Sequence, residues 1–190
     1  MKSLDFVEFF KRTIMSLNCS GIKYVIVGGV LVSIYGEPRA TRDIDVILDI
    51  SPEDRRTIEQ LLGCLEKMEF CIAGGINAII DALRSQSHFS IFNRSYLYWI
   101  DAQGVYSPLD RLALDTKIKK KIFGLDAWIE SIECLIVAKL SVYYSEQSLK
   151  DVISILQISR ELIDIPKLKD FAKKMDVLDR LEKVLSQKIG

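Results

Sequence analysis

One stretch of the chain, between residues 23 and 50, constrains the fold more than any other. A short β-branched run, Lys23 to Val27, is closed by the pair Gly28-Gly29, which is typical of a strand that enters a tight turn. Val30 to Tyr35 then predicts one or two helical turns, and Ile44 to Ile50 predicts a second strand. The sequence therefore predicts a strand, a glycine turn, a short helix and an acidic strand in direct succession.

The second strand carries two carboxylates on one face. Residues two apart on a strand project to the same side, so Asp43 and Asp45 lie side by side while Ile44 points into the core. Such a pair repels unless a cation lies between its members, and oxygen ligands are those that Mg²⁺ prefers. The backbone N–H groups of Gly28-Gly29 can approach a phosphate closely, and the positive end of the following helix favours it.

Each feature taken alone has an ordinary explanation. Two acidic residues on a strand are often a solvated face, and two glycines are often only a turn. The order of the turn, the helix and the acidic strand is what favours a combined phosphate and metal site. A dinucleotide-binding fold is excluded, because Gly28-Gly29 has no GxGxxG continuation and no long helix follows before Gly36.

The spacing of these residues resembles the polymerase-β-type nucleotidyltransferase superfamily, most closely its abortive-infection toxin-like (AbiEii-type) prokaryotic branch. That branch follows a GG…GxxRxTxDID pattern. The matching residues here are Gly28, Gly29, Gly36, Arg39, Thr41, Asp43, Ile44 and Asp45. Many members of the superfamily have Gly-Ser at the turn, whereas Gly29 supplies only its backbone.

Three further segments extend the resemblance over roughly residues 20–160. A third carboxylate on a later strand is matched by Asp101. A Glu-x-Leu-Ile-x-x-Lys-Leu helix is matched from Glu133, with its lysine at Lys139. A Lys-Asp pair that opens the next helix is matched by Lys150-Asp151.

The resemblance implies the transfer of a nucleoside monophosphate from an NTP to an acceptor hydroxyl. It implies two Mg²⁺ (or Mn²⁺) ions held by Asp43, Asp45 and Asp101, with Asp101 helping to accept the proton of the nucleophile. It also implies that Lys139 neutralises triphosphate charge as a catalytic residue. The nucleotide-binding residues would be Gly28, Gly29, Arg39 and Thr41.

Some of these residues have a structural alternative. Lys139 is either a phosphate ligand or a lysine that extends from an apolar helix to the surface. Arg39 and Thr41 either contact phosphate or order their loop. We expect Asp151 to cap or pair within the helical part of the chain rather than bind metal.

Two further features have mainly structural interpretations. We expect His88, the only histidine, to be half-buried in a strand. A lysine cluster at Lys117, Lys119, Lys120 and Lys121 could attract RNA or a triphosphate, but such a run is more often a solvated face.

The function therefore has two candidate classes. The first is an enzyme whose acceptor is a small molecule, a protein or a tRNA, with an antitoxin partner if the protein is a toxin. The alternative is a catalytically inactive nucleotide- or partner-binding module on the same fold. The intact set of three acids favours the enzyme.

The order of the elements predicts an α+β protein with a nucleotidyltransferase fold, in which a small mixed sheet is flanked by helices. Residues 1–130 would form the core and residues 131–190 a C-terminal helical subdomain. We expect a helix that begins at Ser51-Pro52 and strands over His88 to Asn93 and Tyr96 to Asp101. A hairpin would join Lys119 to Phe123 with Ala127 to Ile129, and helices would cover Ser131 to Tyr144, Leu149 to Leu162, a segment from Pro166, and Val177 to Leu185.

Composition excludes several classes of protein. The 26 basic and 26 acidic residues cancel, which disfavours a protein that coats nucleic acid through its overall field. No apolar run approaches the ~20 residues of a membrane span, and acids at Asp5 and Glu8 argue against a signal peptide. We therefore expect a cytoplasmic protein with no membrane partner, whose four cysteines are reduced thiols.

Overall fold

A seven-stranded mixed sheet forms the centre of the protein in the computed structural model, which describes residues 5–93, 97–141 and 145–186. The strands are β1 (Tyr24–Val27), β2 (Asp43–Leu48), β3 (Phe70–Cys71), β4 (Phe89–Asn93), β5 (Trp99–Gln103), β6 (Ile118–Ile122) and β7 (Leu125–Ile129). Their order across the sheet is β3-β4-β5-β2-β1-β7-β6. Strand β2 runs parallel to β5 and β1 runs parallel to β7, while the other neighbours are antiparallel. The expected mixed sheet is confirmed.

Helices flank this sheet and make up the C-terminal part of the described chain. They are α1 (Phe6–Ser20), α2 (Gly29–Tyr35), α3 (Arg55–Lys67), α4 (Gly75–Arg84), α5 (Pro108–Asp115), α6 (Ile132–Ser141), α7 (Glu146–Ile158), α8 (Ile165–Lys174) and α9 (Leu178–Ser186). Helix α6 contacts α7, α8 and α9, and α2 contacts α7. Among the described helices, none is long and apolar enough to cross a membrane.

The central strands are apolar on the face opposite the aspartates, which anchors them in the core. Ile44, between Asp43 and Asp45, is fully buried, as is Ile100 beside Asp101. The register pairs Ile44 with Ile100 across β2 and β5. Burial of this apolar face commits the alternate residues of both strands to the other side of the sheet.

Helix α3 begins later than the sequence suggests. Its N-cap is Asp54, whose carboxylate accepts a hydrogen bond from the backbone N–H of Thr57 at 3.1 Å. Ser51 instead bonds to Glu53 within the preceding turn. The expected start at Ser51-Pro52 is wrong, because the aspartate caps the helix in place of the serine.

The β6–β7 hairpin and α7 are also displaced from their expected bounds. Phe123 and Gly124 form the turn, with φ values of 49° and 87°, so β7 begins at Leu125, earlier than expected. Two residues with positive φ are typical of the tight hairpin turns that match strand twist. Helix α7 begins before Leu149 and ends at Ile158, and a separate 3₁₀ turn covers Arg160–Leu162. The expected start of a strand at Tyr96 and the expected end of a helix at Tyr144 lie outside the described residues.

Two of the four cysteines, which were expected to be reduced thiols, form a disulfide. Cys19 and Cys64 form a disulfide with Cα atoms 5.9 Å apart, whereas Cys71 and Cys134 are free. Helices α1 and α3 pack side by side and bring these two positions together. The expectation of four reduced thiols is wrong for this pair, because a separation of 45 residues carries no spacing signal.

We expect reduction of this disulfide to lower the free energy of unfolding by about 2–4 kcal/mol, since the cross-link restricts a long loop of the unfolded chain. Denaturant unfolding with and without a reductant measures the effect. In the double variant Cys19→Ser, Cys64→Ser, the reductant should change nothing. Four reactive thiols in the denatured, unreduced protein would contradict the assignment.

Candidate active site

Three carboxylates converge where β2 and β5 lie side by side. Asp45 on β2 is paired in register with Asp101 on β5. Asp43 lies two residues before Asp45 on β2 and therefore projects to the same face of the sheet. One carboxylate oxygen from each residue lies within 4.8 Å of the others. All three are half-buried. The structure thus brings together the three acids that the sequence analysis selected as metal ligands.

Hydrogen bonds orient two of these carboxylates. The Thr41 hydroxyl donates to Asp43 Oδ1 at 2.5 Å. Asp101 accepts from the Ser90 hydroxyl at 2.7 Å and from the indole N–H of Trp99 at 3.2 Å. Each donor leaves the remaining lone pairs of its carboxylate available to a further ligand.

Asp45 lies between Asp43 on its own strand and Asp101 on the neighbouring strand. Burial raises its pKa to about 6, and the charges of Asp43 and Asp101 act in the same direction. The backbone N–H of Gly29 and the charge of Lys139 oppose this shift. A buried carboxylate among like charges is destabilising in the absence of a cation. The cluster therefore has the oxygen donors and the excess negative charge that suit a divalent cation.

Gly28 and Gly29 lie directly against the cluster. Gly28 has φ +76°, and a Cβ at this position would come within 2.0 Å of Asp45 Oδ2. A Cβ at Gly29 would lie 2.8 Å from the guanidinium of Arg39. Only glycine fits the first position, and Arg39 occupies the space above the second.

A buried aspartate ties together the two cations of the cleft. Asp151, with a side chain 3% exposed, pairs with Lys139 at 3.1 Å and with Arg39 at 3.5 Å. Gln147 also donates to Asp151 at 2.9 Å. Asp151 thus pairs within the helical part of the chain through Lys139, as expected from the sequence, and also with Arg39 of the loop after α2, which was not expected. Lys139 is a largely buried member of the cleft and does not extend to the surface.

Helix α7 holds the loop that carries Arg39. The Ser159 hydroxyl donates to the carbonyl of Tyr35 at 2.6 Å, and the backbone N–H of Glu37 donates to the Ser154 hydroxyl at 2.5 Å. A Cβ at Gly36 would come within 2.6 Å of that hydroxyl. The absence of a side chain at Gly36 thus allows the loop to approach α7.

These elements line one cleft of about 600 Å³ between the sheet, α5 and α6. All eight residues predicted to act in catalysis or nucleotide binding border it: Gly28, Gly29, Arg39, Thr41, Asp43, Asp45, Asp101 and Lys139. On one side of the acids, Asp110 accepts hydrogen bonds from Gln103 and from the backbone N–H groups of Tyr106 and Ser107. This network orders the wall formed by the start of α5.

The cleft also contains Glu130, which the sequence analysis did not select. This residue directly follows β7 and is 2% exposed. Burial raises the pKa of its carboxyl to about 7, while a hydrogen bond from Cys134 and the charge of Lys139 act in the opposite direction. The one feature of the sequence that could have indicated Glu130 is its position, since an acid stands between the apolar end of β7 and the start of α6.

Two other expected features lie elsewhere or have structural partners. His88 is exposed at the rim of the cleft, one residue before β4, so its expected half-buried place in a strand is wrong. Glu133 is buried and pairs with Lys167 at 2.9 Å. It links α6 to α8 and does not face the acids of the cleft.

The lysine cluster on the β6–β7 hairpin has partners within the protein. Lys119 pairs with Asp126 at 2.9 Å. Lys117 lies 5.3 Å from the ring centroid of Trp128, and Lys120 lies 4.7 Å from that of Tyr35. These contacts favour the structural interpretation of the cluster.

Solved nucleotidyltransferases share this fold. The lincosamide antibiotic adenylyltransferase LnuA, in lincomycin-bound form, is 14% identical with a TM-score of 0.53, covering 83% of this chain and 99% of LnuA. ANT(2'')-Ia in complex with adenylyl-2''-tobramycin is 12% identical with a TM-score of 0.57, covering 90% and 96%. An antigenic nucleotidyltransferase-like protein from Paracoccidioides brasiliensis is 19% identical with a TM-score of 0.52, covering 95% and 90%. At these identities the similarity establishes the fold alone.

Sequence comparison gives the family. No curated protein matches the chain. One family model, described as a nucleotidyltransferase of unknown function, matches residues 8–188. Since this match spans nearly the whole sequence and the fold agrees with it, the chain belongs to the DUF6036 family of nucleotidyltransferases.

Proposed function

We propose that this protein transfers a nucleoside monophosphate from an NTP to an acceptor hydroxyl. The observation that carries the proposal is the convergence of Asp43, Asp45 and Asp101 within 4.8 Å, beside Gly28 and Lys139 in one cleft. The family and the shared fold support the same class of reaction. The intact set of acids favours an enzyme over an inactive binding module.

Asp43, Asp45 and Asp101 would hold two Mg²⁺ or Mn²⁺ ions. Such ions supply charge stabilisation at the transferring phosphoryl group and lower the pKa of the attacking hydroxyl. Thr41 and Ser90 orient Asp43 and Asp101 for this role. Asp101, which Ser90 and Trp99 orient through both of its oxygens, would help to accept the proton of the acceptor hydroxyl.

The cations of the cleft would act on the triphosphate. Lys139 and Arg39 are held in place by Asp151, and the Arg39 guanidinium lies beside Gly29. Gly28, Gly29 and Thr41 complete the nucleotide-binding set that we propose. At the turn, the backbone and Arg39 take the place of the serine that many members of the superfamily have.

The acceptor we favour is a small molecule. LnuA is bound to lincomycin and ANT(2'')-Ia to adenylyl-2''-tobramycin, and the neutral net charge of this chain disfavours broad binding of RNA. A cytoplasmic location, a place in the abortive-infection branch and a toxin role with an antitoxin partner are further proposals, based on the sequence motif. A protein or tRNA acceptor fits that setting.

The activity is tested with α-labelled NTPs, Mg²⁺ or Mn²⁺, and a panel of acceptors that includes lincomycin, tobramycin, total tRNA and total protein. We expect label transfer by the wild-type protein and a loss of about a hundredfold or more in Asp45→Asn and Asp101→Asn, because removal of a metal ligand removes several kcal/mol of transition-state stabilisation. Asp49→Asn is the matched control, since Asp49 pairs with Arg111 outside the cleft.

Two results would count against the proposal. Wild-type protein that transfers no label with any NTP, and that binds no NTP with either metal by calorimetry, lacks the activity. The second result has two parts: the wild-type protein binds NTP and metal but transfers label to no acceptor, and the Asp45→Asn variant binds them equally well. The protein would then be a binding module whose acids have another role.

The stability of the metal-free protein should depend on pH through Asp45. In the unfolded chain the Asp45 carboxyl loses its proton near the ordinary aspartate pKa of 3.8. In the folded protein its pKa is about 6, so the carboxyl keeps the proton to a higher pH. Within this window the folded state binds more protons, so the free energy of unfolding falls as the pH rises. We expect a fall of about 2–3 kcal/mol, and none of it in Asp45→Asn.

Denaturant unfolding in a chelator at pH 4, 6 and 8 measures this difference between the wild-type protein and Asp45→Asn. The variant should be at least as stable as the wild-type protein at pH 8. A variant that unfolds instead would show that Asp45 is a structural residue.

A further inference from the structure

Glu130 lines the cleft, and its buried carboxylate has one oxygen without a partner among the residues that the structure describes. Its backbone N–H continues the β1–β7 ladder by donating to the carbonyl of Ile26 at 2.9 Å. The Cys134 thiol bonds to the carboxylate, but Oε2 has no hydrogen-bond partner among the described residues. Buried polar groups in folded proteins are almost always paired. A buried carboxylate oxygen without a partner, on a residue that lines the cleft, is a candidate acceptor for a donor group of a ligand that enters the cleft.

The sheet register places Glu130 in line with the acidic cluster. Asp101 pairs with Asp45, Asp45 pairs with Val27, and Ile26 pairs with Ile129. Glu130 thus stands at the level of Val27, two strands away from Asp45. With strands ~4.8 Å apart, this separation is about 10 Å. Glu130 is not one of the acids whose oxygens converge on the candidate cation site, so the partner that we infer for it is a donor on the organic part of a ligand.

Part of the cleft lining is apolar. Ala113 and Leu135 are fully buried, and both line the cleft together with Leu109 and Ala138. The nearby cation Lys139 pairs with Asp151. A partly apolar cleft with an unpaired acceptor suits a compact O–H or N–H donor.

The position within the cleft indicates which ligand carries that donor. Glu130 lies on the β1–β7 side of the acids, where Gly28 and Lys139 also lie, whereas Asp101 lies on the β5 side. If the triphosphate occupies the side with the glycine turn and the lysine, Glu130 is on the nucleotide side. A carboxylate repels phosphate, so the neutral donors of the nucleoside are the groups that fit.

We propose that Glu130 is a specificity-determining residue that accepts a hydrogen bond from the nucleoside of the bound NTP, through either a ribose hydroxyl or a base amino group. This inference rests on the proposed function. It adds a residue outside the metal cluster and outside the motif that the sequence analysis selected.

The test is calorimetric titration of ATP, GTP, CTP, UTP, 2'-deoxy-ATP and 3'-deoxy-ATP in Mg²⁺, without acceptor. We expect Glu130→Leu to weaken binding of the preferred NTP about tenfold or more, because the donor is left unpaired in the cleft. Glu130→Gln, which keeps an acceptor oxygen, should lose less. If the preference for ATP over a deoxy analogue disappears in Glu130→Leu, the donor is a ribose hydroxyl; if the preference among bases disappears, it is a base amine.

Thermal unfolding of the free proteins separates a ligand role from a structural one. Both Glu130 variants should melt no lower than the wild-type protein at pH 8, because they remove a buried carboxylate that lacks a full set of partners. Glu133→Gln is the matched control, since this buried glutamate has a protein partner in Lys167. It should melt lower while keeping the wild-type order of NTP affinities.

The possible failures are distinct. Wild-type protein that binds no NTP overturns the proposed function and this inference together. Wild-type protein that binds NTP, with Glu130→Leu giving the same affinities for all six nucleotides, overturns the inference alone. Glu130 variants that melt as low as Glu133→Gln would identify Glu130 as a structural residue and would also overturn it.

Discussion

The close approach of three carboxylates is the constraint on which the rest of the cleft depends. Their mutual repulsion is reduced by donors from separate elements: Thr41, Ser90, Trp99 and the backbone of Gly29. Burial of Ile44 and Ile100 keeps the acids together despite their repulsion, because neither strand can turn its acids away without exposing its buried isoleucine. The requirement for glycine at position 28 follows from the same crowding.

The helical C-terminal part belongs to the site as much as the sheet does. Asp151 on α7 pairs with Arg39 from the loop and with Lys139 from α6. The serines of α7 and its C-terminal end hold that loop at Tyr35 and Glu37. A buried aspartate is stable only with such partners, so the position of α7, the loop conformation and the direction of both cations are mutually dependent.

Local patterns predicted the parts of the site that lie within short segments. The alternation around Ile44 gave the shared face of Asp43 and Asp45, and the resemblance added Asp101 and Lys139. What the sequence did not predict depends on long-range register and packing. Glu130 enters the cleft only because β7 pairs with β1, and no periodicity specifies that neighbour. The Cys19–Cys64 disulfide likewise depends on how α1 meets α3.

The neutral net charge of the chain conceals an uneven distribution. The cleft is lined by five acids, Asp43, Asp45, Asp101, Asp110 and Glu130, against two bases, Arg39 and Lys139. Both bases pair with the single carboxylate of Asp151, which offsets part of the positive charge that they offer to a triphosphate. An anionic nucleotide would thus meet a repulsive field at short range, where burial weakens solvent screening. Under the proposed function, we therefore expect nucleotide binding to be coupled to cation binding at the three aspartates, so that the metal is needed for substrate affinity as well as for the chemical step.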